Sequence, residues 1–228
     1  MKKSLLAAFL LTIVITVLAS CSGEKAGDSI LALAQGRMDS IYKGTASEEY
    51  LELSGRTLDD VTKDYEANIK REAVYFSSYV GIIESQNESL YDALPDETKT
   101  KLETMYKDIY SSAVYEVKDP EKEDDGSYSV EITASPIKAI EDSFNIIQTG
   151  EYEPYKEFVS KYNTVPGSAD TFSQDLANLM IDLVKSQLAT TSQENKTFPV
   201  KVTENEEGEY LINTEDWTPI DKYIIVYP

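Results

Sequence analysis

The chain has 228 residues, with 41 acidic and 21 basic side chains, no histidine and a single cysteine. Its formal charge of −20 argues against a nucleic-acid partner, because phosphate contacts need clustered lysine and arginine. Without histidine there are no Ser–His or Cys–His catalytic pairs and no histidine zinc ligand, and one cysteine allows no internal disulfide. We therefore expect a protein that is not an enzyme and that holds no metal or other cofactor.

Residues 1–20 have the layout of a secretory signal peptide. Two lysines follow the first methionine, residues 5–18 are almost wholly apolar, and small residues occupy positions 19 and 20. A membrane-spanning helix would need about 20 apolar residues, and this run is shorter and contains Thr12 and Thr16. An ordinary signal followed by a coincidental cysteine is the other alternative. We predict that residues 1–20 are cleaved off.

The segment Leu18–Cys21 resembles the lipobox, the four-residue pattern ending in cysteine that marks bacterial lipoproteins. The resemblance implies that the Cys21 thiol is lipidated and that Cys21 becomes the mature N-terminus. The membrane would then be a partner through the acyl chains on Cys21, at the outer face of the bacterial cytoplasmic membrane. Acyl chains must supply this attachment, because anionic headgroups repel an acidic surface.

Residues 21–27 are small, polar and glycine-bearing, which predicts a lipidated, flexible tether. A first helix–hairpin repeat is predicted over residues 28–135. Asp28 suits the start of its first helix and Gly44 the end, and a short helix follows near residues 47–53. A capping box at Thr57 and Asp60 opens a long helix. Its apolar stripe has helical spacing and comprises Leu58, Val61, Tyr65, Ile69, Ala73, Phe76 and Val80.

A loop is predicted around Gly81, Asn87 and Ser89, and Pro95 suits the first position of the next helix. The inner face of that helix is formed by Leu102, Met105, Tyr106, Ile109 and Tyr110. The apolar period then changes to two on either side of a turn at residues 119–126. This alternation predicts a β-hairpin that continues through Tyr128, Val130 and Ile132, with one face in water.

A second, shorter repeat is predicted over residues 136–228, with the same order of helices and then a hairpin. Ser135 suits a cap for its first helix, which ends at Gly150, and a break is expected at residues 165–167. Further helices are predicted from Pro154 and along a stripe from Phe172 to Leu188. A hairpin over residues 198–212, a last helix capped by Thr214 around Trp217, and an apolar tail at residues 224–227 complete the chain.

Matching glycine and tyrosine positions in the two halves predict a diverged tandem duplication in which the second copy lacks the long helix. Because an isolated hairpin is barely stable in water, we expect both hairpins to join one antiparallel sheet, with helices packed on one face. The expected fold class is α+β, with the two repeats packed as one globular unit. By analogy the arrangement resembles the cystatin-like and nuclear-transport-factor-like architectures.

Catalytic motifs in the sequence are weak. Ser40 and Lys43 match S-x-x-K and Ser85–Asn87 resembles the second element of penicillin-binding enzymes, but the third element, K-T-G, is missing. Lys43 also suits the last helical turn, where it complements the helix dipole. Two carboxylates could hydrolyse glycosides, but we expect no acidic residue in an apolar setting that would raise its pKa. The acidic turn Glu121–Gly126 lacks the ligand spacing of a calcium loop, which favours a solvated turn.

The 16 tyrosines are the remaining unusual feature of the sequence. Tyr75 with Tyr79, and Tyr106 with Tyr110, recur at four-residue spacing along predicted helices. Packing at the edge of the core is the expectation for such residues, and the alternative is an aromatic floor for a sugar or a peptide. Trp217 is expected to anchor the core.

As a whole, the chain resembles an uncharacterised family of lipoproteins from Gram-positive, largely gut-dwelling bacteria. The resemblance rests on the lipobox, on the Tyr-Phe-Ser-Ser-Tyr segment at residues 75–79, and on the hairpins at residues 114–132 and 198–212. It implies no activity. Our leading hypothesis is a lipid-anchored cell-surface protein with a non-catalytic binding or scaffolding role, whose small-molecule, glycan or protein ligand is unknown. The alternatives are the substrate-capture component of a transporter and a carboxylate-dependent hydrolase of the cell envelope.

Overall fold

A computed structural model describes residues 23–80, 90–164, 169–189 and 194–228. The helices are α1 (Gly23–Tyr42), α2 (Glu48–Ser54), α3 (Leu58–Val80), α4 (Leu90–Ala93), α5 (Asp96–Ser111), α6 (Ala139–Gln148), α7 (Glu153–Thr164), α8 (Ala169–Gln187) and α9 (Thr214–Ile224). The strands are β1 (Tyr115–Val117), β2 (Glu121–Lys122), β3 (Tyr128–Ala134), β4 (Lys196–Glu204) and β5 (Tyr210–Ile212). Within these ranges no helix combines the length and the hydropathy needed to cross a bilayer.

The two predicted hairpins join one antiparallel sheet, which confirms the α+β fold class. Its strand order is β1-β3-β4-β5, and the short strand β2 also pairs with β3. The central pairing of β3 with β4 runs from Tyr128 opposite Val202 to Ala134 opposite Lys196. The sheet therefore links strands from both predicted repeats side by side.

The sheet has one buried and one wet face, as the period of two predicted. Alternate side chains of the two central strands are buried, and the intervening ones are partly or fully exposed. Thr133 and Thr197 face each other on the exposed side and share a hydrogen bond of 2.8 Å. The buried set comprises Tyr128, Val130, Ile132, Ala134, Phe198, Val200 and Val202.

The chain divides into two compact units. Unit 1 contains residues 1–62, 114–135 and 195–224, and its described part holds α1, α2, the sheet and α9. Unit 2 contains residues 63–113, 136–194 and 225–228, and its described part is mainly helical. Both predicted repeats contribute to each unit. The tandem duplication itself stays a prediction.

The first helix begins earlier than its sequence suggested. We expected residues 21–27 to form a tether ahead of a cap at Asp28, but α1 already starts at Gly23. Ala26 is buried, which gives this extra turn a packed side chain. Cys21 and the rest of residues 1–22 lie outside the described residues.

The capping box at the start of α3 is confirmed. Thr57 N donates to Asp60 Oδ2 at 3.0 Å, and Asp60 N donates back to Thr57 Oγ1 at 3.2 Å. Leu58, predicted to belong to the apolar stripe of this helix, is 52% exposed instead. It occupies the first helical position, one turn before the stripe becomes buried at Val61.

Three other predicted helix starts need correction. Pro95 precedes α5 as its N-cap residue rather than opening the helix. The Ser135 hydroxyl caps no helix and donates to Asn195 Oδ1 at 2.7 Å. At α9, Asn213 Oδ1 accepts from Glu215 N at 3.0 Å, which places the cap one residue before Thr214.

The loop predicted near residues 81–89 and the break at residues 165–167 lie outside the described residues.

Candidate functional site

Four tyrosines and one glutamate of unit 2 form a connected group, which we call the tyrosine cluster (Glu72, Tyr75, Tyr79, Tyr106, Tyr227). Helix α3 contributes the first three at spacings of three and four residues, so they lie along one side of that helix. Helix α5 contributes Tyr106 and the end of the sequence contributes Tyr227. The cluster thus combines groups that are far apart in the sequence.

The inner part of the cluster is a hydrogen-bonded chain. The Tyr227 hydroxyl donates to Glu72 Oε2 at 2.5 Å and also lies 2.7 Å from the Tyr106 hydroxyl. Tyr106 is fully buried and Tyr227 is half-buried. The ring of Tyr75 meets that of Tyr227 edge to face, with 5.1 Å between centroids. The glutamate therefore fixes the position of Tyr227, and Tyr227 in turn supports Tyr75.

The outer part of the cluster is a pair of exposed rings. Tyr75 and Tyr79 are 38% and 40% exposed, with 6.3 Å between ring centroids and 32° between ring planes. Phe144 of α6 meets the Tyr79 ring edge to face at 5.0 Å. Two neighbouring exposed rings, each met edge to face by a half-buried aromatic partner, fit the aromatic floor that was the alternative for these tyrosines. The other predicted pair, Tyr106 and Tyr110, is buried in the core.

Burial raises the pKa of Glu72, although the hydrogen bond from Tyr227 and the charge of Arg71 act in the opposite direction. Burial likewise raises the pKa values of Tyr106 and Tyr227 well above the ordinary value for tyrosine. The expectation that no acidic residue sits in a setting that raises its pKa is therefore wrong for Glu72. The sequence held a signal for it, because Glu72 follows Ile69 by three residues and precedes Phe76 by four, on the buried face of α3.

The two residues of the S-x-x-K match bond to groups of α1: Ser40 lies in that helix, and Lys43 directly follows its last residue. The Ser40 hydroxyl donates to the Arg37 carbonyl at 2.8 Å, and Lys43 Nζ pairs with Asp39 Oδ1 at 2.6 Å. Both side chains therefore have partners on α1: Ser40 a backbone carbonyl and Lys43 a carboxylate. The proposed companion motif, Ser85–Asn87, falls outside the described residues.

The acidic turn before β3 is organised by hydrogen bonds and one ion pair. Lys201 Nζ bonds Asp125 Oδ2 at 2.6 Å, and Ser127 donates to the other carboxylate oxygen. The lysine first, and then the serine, hold the pKa of Asp125 well below its ordinary value. Across the described residues no group of three or more histidine, cysteine, aspartate or glutamate side chains could hold a metal ion.

Trp217 is a core residue of unit 1, as expected. It is 1% exposed and lies under the Arg37 guanidinium, whose carbon is 4.4 Å from the ring centroid. Burial lowers the pKa of Arg37, and the nearby charge of Asp221 partly counteracts it. Trp217 therefore packs in the core, and its ring lies against the guanidinium of Arg37.

Asp39 joins α1 to the first strand of the sheet and yields a testable pH dependence. Burial alone would raise its pKa, but hydrogen bonds from Lys43, Tyr115 and Gln35 lower it overall. The stabilisation is therefore complete above the unfolded-state pKa of about 3.9 and is lost as the pH falls through the folded-state pKa. We expect Asp39→Asn to reduce the free energy of unfolding by about 1 kcal/mol at pH 7.

Urea unfolding at pH 7 and at pH 3 would check this prediction. The difference between wild type and Asp39→Asn should shrink toward pH 3. Asp124→Asn, in the exposed turn, serves as the control and should change stability little at either pH. An unchanged difference between the two pH values would contradict the assignment of the effect to the Asp39 carboxylate.

No protein-family description matches the sequence, and no curated protein matches it. A similar fold is found in the crystal structure of YcdA from Bacillus subtilis, a protein provisionally identified as a lipoprotein. The TM-score is 0.54 at 13% sequence identity, over 89% of this chain and 57% of YcdA. The chain thus spans little more than half the length of YcdA, and the likeness shows a shared fold.

Proposed function

We propose that the protein is a lipid-anchored cell-surface protein that binds a ligand without catalysis. The observation that carries the binding role is the pair of exposed Tyr75 and Tyr79 rings, each held in place by a half-buried aromatic partner. Tyrosine rings exposed side by side are typical of recognition sites, where tyrosine is enriched. The role of the inner carboxylate is then to hold a neighbouring tyrosine rather than to react.

The anchor is supported by the sequence and by the similar fold of a protein provisionally identified as a lipoprotein. Cys21 follows a leader-like segment directly and is the single cysteine of the chain. Two acyl chains hold a protein on a membrane firmly, whereas one holds it only weakly. The acyl chains on Cys21 would therefore keep an acidic body at a surface that repels it.

Expression in a Gram-positive host tests the anchor. We expect the native protein in the membrane fraction, with a mass that corresponds to lipidated Cys21 as first residue. Cys21→Ser should move most of the protein out of that fraction, because its acyl attachment is lost. Ser22→Ala is the matched control and should remain with the membrane. An intact leader or an unmodified Cys21 thiol in the native protein would contradict the anchor.

The binding role is tested by screening cell-envelope glycans and peptide pools against the purified full chain. Tyr79→Ala should weaken capture by about 5- to 30-fold, since stacking on an aromatic ring contributes about 1 to 2 kcal/mol. Tyr155→Ala, a half-buried tyrosine of α7, is the control and should leave capture unchanged. Equal capture by all three proteins would contradict a site at the exposed rings.

A carboxylate-dependent hydrolase is a second candidate, and the raised pKa of Glu72 is the observation that favours it. A glycosidase pairs two carboxyl groups across the scissile bond. Among the described residues, the groups that shift the pKa of Glu72 include Tyr227 and Arg71 but no second carboxylate. Turnover of an envelope polysaccharide that is lost in Glu72→Gln would establish this candidate over the first.

A further inference from the structure

The last four residues of the sequence, Ile225–Pro228, form a short segment that belongs to unit 2. Ile225 makes a parallel β-bridge with Ile137, and Val226 N donates to the Ile137 carbonyl at 3.1 Å. At the other end of the segment, the Pro228 carbonyl accepts from the Tyr79 hydroxyl at 3.2 Å. Backbone groups therefore hold both ends of the segment.

Between these ends, the side chain of Tyr227 fills a socket built for a phenol. Glu72 accepts the hydrogen of its hydroxyl, and the Tyr106 hydroxyl lies within hydrogen-bonding distance of the same oxygen. Tyr75 meets the ring edge to face. An acceptor, a second hydroxyl and an aromatic wall together recognise a tyrosine side chain and discriminate against phenylalanine.

The side chains of the segment are more exposed than those of the core beneath it. Ile225, Val226 and Tyr227 are only half-buried and Pro228 is exposed, whereas Tyr106 beneath them is fully buried. Segments whose side chains are partly exposed open locally at a lower free energy than the central strands of a sheet. Opening would leave the socket of Glu72, Tyr75 and Tyr106 empty and facing solvent.

We propose that Ile225–Pro228 is a displaceable strap, and that the socket beneath it binds the tyrosine of an apolar peptide segment supplied by another molecule. The seated strap itself defines this ligand chemistry: branched apolar residues beside a backbone acceptor, followed by tyrosine and proline. The inference rests on the proposed binding role of the tyrosine cluster and gives it a ligand class. It does not depend on the lipid anchor.

Peptide binding to a shortened chain tests the strap. A fluorescent Ile-Ile-Val-Tyr-Pro peptide is titrated into the intact chain and into a chain that ends at Ile224, and binding is followed by fluorescence anisotropy. We expect the shortened chain to bind at least tenfold more tightly, because the strap no longer competes. The same peptide with phenylalanine in place of tyrosine should bind the shortened chain about tenfold more weakly, since Glu72 would face no donor.

The proposal is overturned if the shortened chain folds but does not bind the tyrosine peptide, or binds the tyrosine and phenylalanine peptides equally. If the shortened chain does not fold, amide hydrogen exchange of the intact chain decides. The Val226 amide should then exchange at least 100-fold faster than the slowest amides of β4, and equal rates would overturn the strap. An unmodified Cys21 thiol in a native protein that still binds the peptide contradicts the anchor alone. A shortened chain that binds neither peptide, while Tyr79→Ala still weakens capture by the intact chain, contradicts the strap alone.

Discussion

Gly36→Ala is expected to lower the free energy of unfolding by about 1 to 3 kcal/mol, although alanine is the better helix former. Gly36 lies inside α1, where the ring of Tyr50 from α2 crosses it closely. A Cβ atom at position 36 would lie within 2.5 Å of the Cβ, Cγ and Cδ2 atoms of Tyr50. These atoms are near the backbone of α2, so relief requires α2 to move away from α1.

The contact also explains why the loss should exceed the gain in helix propensity. Tyr50 is 2% exposed and packs in a small core with Leu33, Leu53 and Val61. A shift of its ring disturbs all three neighbours, whereas the propensity gain of Gly to Ala is only about 1 kcal/mol. For a chain of this size a loss of 2 kcal/mol corresponds to a decrease in Tm of roughly 4 to 8 °C.

Gly27→Ala is the matched control for this experiment, because it makes the same change in the same helix. The nearest atom to a Cβ at position 27 is Pro120 Cγ at 3.8 Å, an ordinary contact. We expect Gly27→Ala to leave stability unchanged or to raise it by up to about 1 kcal/mol. Thermal and urea unfolding of both variants would check this, and a stable Gly36→Ala protein would show that the helices separate easily.

Local signals in the sequence predicted much of the fold. The alternation at Tyr128, Val130 and Ile132 predicted a strand with one face in water, and the Thr57–Asp60 capping box located the start of α3. Both patterns are repeated over a few neighbouring positions, so the spacing of residues is sufficient to predict them. The prediction of a tether over residues 21–27 is wrong from Gly23 onward, where α1 begins, and the burial of Ala26 is a feature that local sequence signals do not encode.

The candidate site was only partly accessible to the same reasoning. The four-residue spacing of Tyr75 and Tyr79 raised the possibility of an aromatic floor, and both rings are exposed. The partnership of Glu72 with Tyr227 joins residues 155 positions apart, and no periodic pattern encodes such a pair. Only the position of Glu72 on the buried face of its helix indicated that this acid differs from the others.

Tyr227→Phe is expected to reduce the free energy of unfolding by about 1 to 3 kcal/mol at neutral pH. The change removes one oxygen, but that oxygen donates to Glu72 and lies within hydrogen-bonding distance of the Tyr106 hydroxyl. Leaving the Glu72 carboxylate shielded from water and without its donor costs more free energy than one hydrogen bond contributes net. Tyr155→Phe is the control, since the described residues offer the Tyr155 hydroxyl no hydrogen bond, and it should change stability by less than about 0.5 kcal/mol.

The loss in Tyr227→Phe should also grow with pH. Because burial raises the folded-state pKa of Glu72, its contribution to stability is complete below the unfolded-state pKa of about 4.3 and falls as the pH rises through the folded-state pKa. Tyr227 lowers that pKa by favouring the charged form, so its removal raises the pKa further. Urea unfolding at pH 4 and pH 8 should therefore give a larger loss at pH 8. In a Glu72→Gln background this pH dependence should vanish, and its persistence there would assign the effect to another group.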